Sequence, residues 1–388
     1  MSAAADCAPR AAHIGFFSDP SGRRPQELLE AWPTLVDVAE AAAAAGVRVS
    51  VLQNCAQEAQ LEANGVRYYF LPFGVHGPRG GNARLAALLR TLAPRVLHVH
   101  GLGFCRDVLS LAALLPELPL VLQDHASRPP RLWRRPLWRR ALAAASAITF
   151  CATEQAQPFA AAGLLSAHTA VHAVPESTSR FTPGDQQQAR RRTGVHGDPA
   201  VLWVGNLDGN KDPLTMLAGV SDAARRLPDL RLWCCFGAAP LLPQVEERVR
   251  ADPHLCGRVR LLGRLPHARI EELMRAADLF VLASHREGSG YALIEALACG
   301  LPPVVTDIPS FRALTGAGAV GALWPCGDAQ RLGRALQAVT ACGGAALRTA
   351  VRRHFERELS AAALGAKLAA LYRTVSARHG AQALGRLG

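Results

Sequence analysis

The chain lacks any long apolar run. No stretch reaches the ~18 uncharged residues that a membrane span needs. The nearest, Val108 to Leu122, is interrupted by Glu117 and two prolines. Residues 1–10 lack the basic-then-apolar order of a secretory leader, so the sequence reads as cytoplasmic. The ten cysteines form no C-x-x-C pair and no regular spacing, which argues against a zinc site and for buried, reduced thiols. There is no D-x-D pair, no zinc-finger spacing, no aromatic RNA-binding strand pair and no short repeat. Acidic residues are few: 31 against 43 basic ones, with arginine far outnumbering lysine, for a net charge of +12. That balance favours an anionic partner such as nucleotide phosphate or an anionic membrane surface, without choosing between them. The missing nucleic-acid signatures argue against the third anionic option.

The length, 388 residues, suits two domains of roughly 150 residues each. Short apolar runs alternate with amphipathic segments. The candidate strands of the first half are 13–17, 47–53, 66–71, 96–99, 120–123, 147–150 and 169–174. An Ala-rich helix is expected from Leu28 to Ala45, stopped by Gly46. Such alternation predicts parallel strands joined by crossover helices. The polar, Pro/Gly-punctuated stretch from Pro175 to Asp185 reads as a linker. Beyond it the alternation restarts, with strands expected at 201–204, 231–236, 259–262, 279–283 and 303–306. The fold class is therefore α/β, two doubly wound Rossmann-like domains with a cleft at the carboxyl ends of their strands. The boundaries are placed at 1–178 and 179–355. A helix from about Ser360 to Ala377 follows, and residues 378–388 are expected to fray.

The most informative segment runs from Leu279 to Gly300. An apolar strand leads into a loop with Glu287 and two glycines, then a helix with Glu295 near its start and Gly300 at its end. Strand, Gly-rich turn and helix N-terminus form a site for an anion. Acids beside such a site suit a phosphate ester flanked by hydroxyls, as in a nucleotide sugar.

This segment resembles the E-x7-E motif of retaining glycosyltransferases of family 4, which have the two-domain GT-B fold. The resemblance extends in order through Leu97–Gly101, Val201–Pro213, Ala277–Val281 and Leu301–Pro309. It implies a nucleotide-diphospho-sugar donor, transfer to an acceptor hydroxyl with retention, and no metal. It also implies that residues 356–388 cross back to the first domain. On it, Glu287 contacts the donor sugar, Gly288, Ser289, Gly290 and Tyr291 offer amides to the sugar diphosphate, and Glu295 takes the ribose hydroxyls. Lys211 matches the family's phosphate-binding lysine. Asn206 stands where arginine is usual, and Arg264 is a candidate to replace that charge. His125 takes the place of a histidine facing the donor sugar and the acceptor, with Asp124 structural. Where many members have a Gly-rich loop after the first strand, Phe17–Arg24 has a single glycine, so acceptor recognition is expected to differ.

Two features stay open on sequence alone. His98 and His100 lie two apart on one strand and share a face, which suits either packing or a metal, and no third ligand is evident. Arg131 to Arg140 holds five arginines besides Trp133 and Trp138. It suits an inward-packed helix start, an anionic bilayer contact or an acidic acceptor. The alternative reading of the whole chain is a non-catalytic nucleotide-sugar-binding or membrane-surface partner protein.

Overall fold

A computed structural model describes residues 9–77, 80–166 and 169–384. The chain divides into two compact units, residues 1–177 with 361–388 and residues 178–360. Unit 1 contains β1 (Arg10–Gly15), β2 (Arg48–Asn54), β3 (Ala59–Ala63), β4 (Val66–Leu71), β5 (Val96–His100), β6 (Leu120–Gln123), β7 (Ala147–Phe150) and β8 (Val171–Ala173). Their order is β3-β4-β2-β1-β5-β6-β7-β8. All pairs are parallel except β3 with β4. Unit 2 contains β9 (Ala200–Val204), β10 (Arg231–Cys235), β11 (Val259–Gly263), β12 (Leu279–Leu282), β13 (Pro303–Thr306) and β14 (Ala322–Trp324). It is fully parallel, in the order β11-β10-β9-β12-β13-β14.

Alternation along the strands sends side chains into two cores in unit 1. Ala12, Ile14, Leu97, Val99, Leu120 and Leu122 face one. Ala11, Val96, Val121 and Ala147 face the other, which Leu364, Leu368 and Tyr372 of the helix Ala361–Leu384 complete. That terminal helix packs on the helix Pro33–Ala44. Close approach requires Gly365, where an added Cβ would lie 2.1 Å from the Ala41 carbonyl oxygen. By the two-residue period, His13 and His98 share the face of Ala11 and Val96. Polar rings therefore lie under the terminal helix.

Several expectations need correction. The single helix from Leu28 to Ala45 is two helices, Pro25–Ala31 and Pro33–Ala44. Pro33 has no N–H to continue the first helix and starts the second instead. The parallel rule fails at β3, a half-exposed edge strand joined to β4 by the turn Asn64-Gly65, both residues at positive φ. The first strand begins at Arg10, because pairing with β2 and β5 reaches back that far. The terminal helix continues to Leu384 and does not fray at residue 378. Among the described residues no helix is long and apolar enough to cross a membrane. Cys55, Cys105, Cys151, Cys234, Cys235 and Cys299 are buried free thiols, whereas Cys256, Cys326 and Cys342 are exposed.

Candidate functional site

In unit 2 the strand order reverses between β9 and β12. At such a reversal the two connections leave on opposite faces and open a crevice at the carboxyl ends. The loop after β9 carries Asn206 and Lys211. The loop after β12 carries Glu287 and Gly288 to Gly290. The two loops are tied together. The His285 amide donates to Asn210 O (2.8 Å), Asn210 Nδ2 donates to Arg286 O (3.0 Å), and the His285 ring meets Asp212 Oδ2 at 2.9 Å. Asp208 accepts from the amides of Asn210 and Lys211 at 3.0 and 2.9 Å, which shapes the turn. Lys211 Nζ then forms an ion pair with Glu287, with both side chains largely buried.

Gly290 begins the helix Tyr291–Ala298 at φ 61°, and no side chain caps the first turn. A Cβ there would lie 2.8 Å from Leu314 Cδ1, so both backbone conformation and packing require glycine. Glu295, one turn into this helix, meets His267 Nε2 at 2.5 Å. His267 escaped the sequence reading because it lies in another helix, 28 residues earlier.

Asn206 Oδ1 accepts from the Ala238 amide at 3.1 Å and so fastens the loop after β10. A Cβ added at Gly237 would lie 3.3 Å from Asn206 Oδ1 and 3.5 Å from Arg264 Nη2. The two side chains therefore converge over one glycine. Arg264 is exposed, and among the described residues it has no ion pair. Arg264, from the loop after β11, thus stands beside Asn206, where the resemblance leads to the expectation of an arginine.

The matching reversal in unit 1 lies between β1 and β5. His125 follows β6 and stands beside it. Asp124, buried, accepts from the Ser127 amide at 2.9 Å, while Ala126 adopts φ 57°. This tight turn sets the His125 ring, and burial holds the Asp124 carboxyl above the usual carboxylate range. His125 Nδ1 lies 3.1 Å from Oε2 of Glu176, a buried residue.

From there a chain of polar contacts runs inward. His125 Nε2 is 3.3 Å from His100 Nδ1, His100 Nε2 is 3.4 Å from His13 Nδ1, and His13 Nε2 is 2.8 Å from the Tyr372 hydroxyl. That hydroxyl also meets His98 Nδ1 at 2.7 Å. A carboxylate at Glu176 can only accept, and each neutral imidazole has one donor and one acceptor nitrogen. Starting from donation by His125 to a Glu176 carboxylate, one assignment satisfies every contact. His125 Nδ1–H donates to Glu176, His100 Nδ1–H to His125, His13 Nδ1–H to His100, Tyr372 O–H to His13 and His98 Nδ1–H to Tyr372. His98 Nε2 remains a buried lone pair with no partner among the described residues.

This chain bears on the open question about His98 and His100. His13 supplies the third ring, and donor atoms of the three lie within 4.8 Å of one another. The directed chain, however, uses the lone pairs of His13 and His100 that a metal would require, which favours packing and hydrogen bonding. Burial pushes His13 down to about 3, and burial with repulsion from neighbouring imidazoles holds His98 and His100 well below the usual range.

Comparison with known proteins matches both units. The profile described as Glycosyltransferase Family 4 matches residues 33–174, and that described as Glycosyl transferases group 1 matches residues 198–341. The chain belongs to this glycosyltransferase family. It is 32% identical over 170 residues to a D-inositol 3-phosphate glycosyltransferase of Geodermatophilus obscurus, covering 42% of this chain and 38% of the relative. It is 27% identical over 226 residues to a GDP-mannose:cellobiosyl-diphosphopolyprenol alpha-mannosyltransferase of Xanthomonas oryzae, covering 56% of this chain and 57% of the relative. These two matches span about two fifths and just over half of the relatives' lengths. Among solved structures, sucrose-phosphate synthase of Thermosynechococcus elongatus superposes with a TM-score of 0.71 at 20% identity, over 95% of this chain and all of that one. HepE of Anabaena, solved in complex with UDP, gives 0.68 at 17% identity, over 94% of this chain and all of that one. At these identities the structural likeness establishes the GT-B fold alone.

The neutral histidines make stability depend on pH. Unfolded, each takes up a proton near 6.5; in the fold none does until far lower. The unfolded chain therefore binds more protons below 6.5, and stability is lost as pH falls from 6.5 toward 3. The expected loss is about 4 kcal/mol between pH 7 and pH 5.5 for the three rings together. Amide hydrogen exchange of β1 and β5 measures it; protection unchanged over that range would contradict neutral, buried rings.

Proposed function

We propose that the chain moves a sugar from a nucleotide-diphospho-sugar to an acceptor hydroxyl, with retention and without a metal. The observation that supports this best is the meeting, at one strand-order reversal, of Lys211, Glu287 and the uncapped start of helix Tyr291–Ala298, with Arg264 beside Asn206 in the loop after β11. A diphosphate needs the cations and amides, and a sugar needs the carboxylate. HepE, a neighbour in fold, was also solved with UDP-glucose, which is consistent with that class of donor.

In this reading unit 2 takes the donor and unit 1 the acceptor. The bond from the anomeric carbon to the diphosphate oxygen breaks, and the electron pair leaves with the diphosphate. Lys211, Arg264 and the amides of Gly288, Ser289, Gly290 and Tyr291 stabilise that charge where a metal would otherwise act. The acceptor oxygen bonds to the same face of the sugar, and its proton passes to the departing phosphate. Glu287 positions the sugar and exchanges its contact with Lys211 for one with sugar hydroxyls as the phosphate binds. His125, held by Glu176 in unit 1, is assigned to the acceptor. Glu295, with His267, takes the ribose hydroxyls, and Asn206 acts through the loop it holds.

The test is turnover of a nucleotide-sugar panel by variants that remain folded. Glu287→Ala is expected to lose more than about tenfold in kcat, ~1.4 kcal/mol of barrier. Arg264→Ala is expected to weaken nucleoside diphosphate binding by about tenfold with little change in unfolding temperature. Wild-type turnover in Glu287→Ala would remove its role, and unchanged affinity in Arg264→Ala would leave the charge missing at Asn206 without replacement.

A membrane contact is favoured by one further observation. Trp138 packs inward against Phe159, but Leu132 and Trp133 are 71% and 70% exposed, with Arg131 over the Trp133 ring at 5.3 Å. An exposed aromatic-aliphatic pair among arginines suits an anionic bilayer surface. Co-sedimentation with phosphatidylglycerol vesicles should exceed that with phosphatidylcholine vesicles and fall about tenfold in Leu132→Ser/Trp133→Ser. Equal binding to both vesicles would exclude it.

A further inference from the structure

At the strand-order reversal of unit 1 lies a cavity of about 390 Å³. Its floor is Gly15, at the end of β1, and Gly101, just past β5. Gly101 requires glycine, and Gly15 leaves the room that the Gln53 carboxamide occupies. A Cβ at Gly15 would lie 2.2 Å from Gln53 Oε1, and Gly101 has φ 97° with the Phe104 ring 3.0 Å from its Cβ position. Gln53 is buried and donates from Nε2 to Phe17 O (2.6 Å) and Asn54 O (3.0 Å). The carboxamide thus pins the loop that carries Phe17. The cavity's shape follows from packed groups fixed by glycine and a buried amide.

Its walls are apolar. Phe17, Trp32, Leu35 and Phe104 line it, with the Phe17 and Trp32 rings 5.7 Å apart between centroids. Phe17 is 56% exposed, one of the few large apolar side chains left so open among the described residues. An aromatic wall facing a cavity stacks on a flat ligand face. His100 and His125 form the end nearest β5 and β6.

Charge is missing from this cavity. Among the described residues its lining includes no arginine, lysine, aspartate or glutamate, in a chain of net charge +12. The arginines of the adjoining loop are already paired, Arg23 with Asp19 at 3.1 Å and Arg24 with Glu27 at 2.8 Å. The histidines behind the cavity have both contacts of their rings directed within the protein, apart from the one lone pair on His98. A phosphate entering here would give up its hydration without a counter-charge, whereas a neutral ring gains from burial.

We infer that this cavity takes an uncharged, hydroxyl-bearing acceptor with a flat apolar face, an aryl ring or the C–H face of a sugar, and discriminates against phosphorylated sugars. The inference rests on the transferase reading for the name acceptor; the binding class rests on the cavity alone.

Calorimetric titration of the full chain tests it, with phenyl β-D-glucopyranoside and phenyl α-D-mannopyranoside as neutral probes and glucose 6-phosphate and mannose 6-phosphate as charged ones. At least one neutral probe should bind about tenfold tighter than either phosphate, and Phe17→Ala should weaken it about tenfold. Phe17 is exposed enough that its loss leaves the fold intact; Trp32→Ala serves as a second variant. Tighter binding of a sugar phosphate, no binding by either neutral probe, or affinity unchanged in both variants would overturn the inference. Nucleoside diphosphate titrated into the same preparation separates the two readings. Glycoside binding without nucleotide binding sinks the transferase reading and keeps the cavity's ligand class, and nucleotide binding without glycoside binding does the reverse.

Discussion

Parallel strand pairing governs this molecule. Strands that run in the same direction can be joined only by crossovers, and where the strand order reverses the crossovers diverge and leave the carboxyl ends uncovered. Both units have one such reversal, between β1 and β5 and between β9 and β12. Most residues assigned a role lie in the loops that leave these ends. Apolar strands supply rigidity, and the loops supply chemistry, because only there is backbone free to turn its amides outward.

The two edges differ in a way that divides the work. The unit 2 reversal gathers Lys211, Glu287 and a helix start, with Arg264 beside Asn206 in the loop after β11, all suited to a charged, hydroxylated ligand. The unit 1 edge has aromatic walls, a pinned amide and neutral imidazoles. Net charge alone would suggest anion binding throughout. The local arrangement restricts it, because Arg23 and Arg24 near the unit 1 cavity are paired with Asp19 on the same loop and Glu27 on the helix that follows.

The sequence displayed the strands well for a physical reason. Strands buried on both faces read as continuous apolar runs, and β6, β7 and β13 fall on the expected residues; β4 does so too, although its Arg67 is exposed. The half-exposed β3 has no such run, and neither it nor the short β14 was expected. Glu287 and Lys211 were legible because their loops adjoin clear strands; their ion pair joins positions 76 apart and was not. Glu176 looked like part of a polar linker, yet the fold buries it against His125. Tyr372 lies 274 residues from His98, and its hydroxyl meets that ring only because the terminal helix covers the second core. Contacts of this kind depend on topology, which local pattern does not encode.

The central claim is that unit 2 binds a nucleoside diphosphate through its own side chains and amides. Thermal denaturation of the full chain with UDP, GDP, ADP or CMP, each with magnesium and with EDTA, tests it most directly. Ligand at ~100 times its dissociation constant adds ~2.7 kcal/mol. The account predicts a rise in melting temperature that is selective for one nucleoside diphosphate and equal with magnesium and with EDTA. No rise with any of them, or a rise that EDTA abolishes, would contradict it.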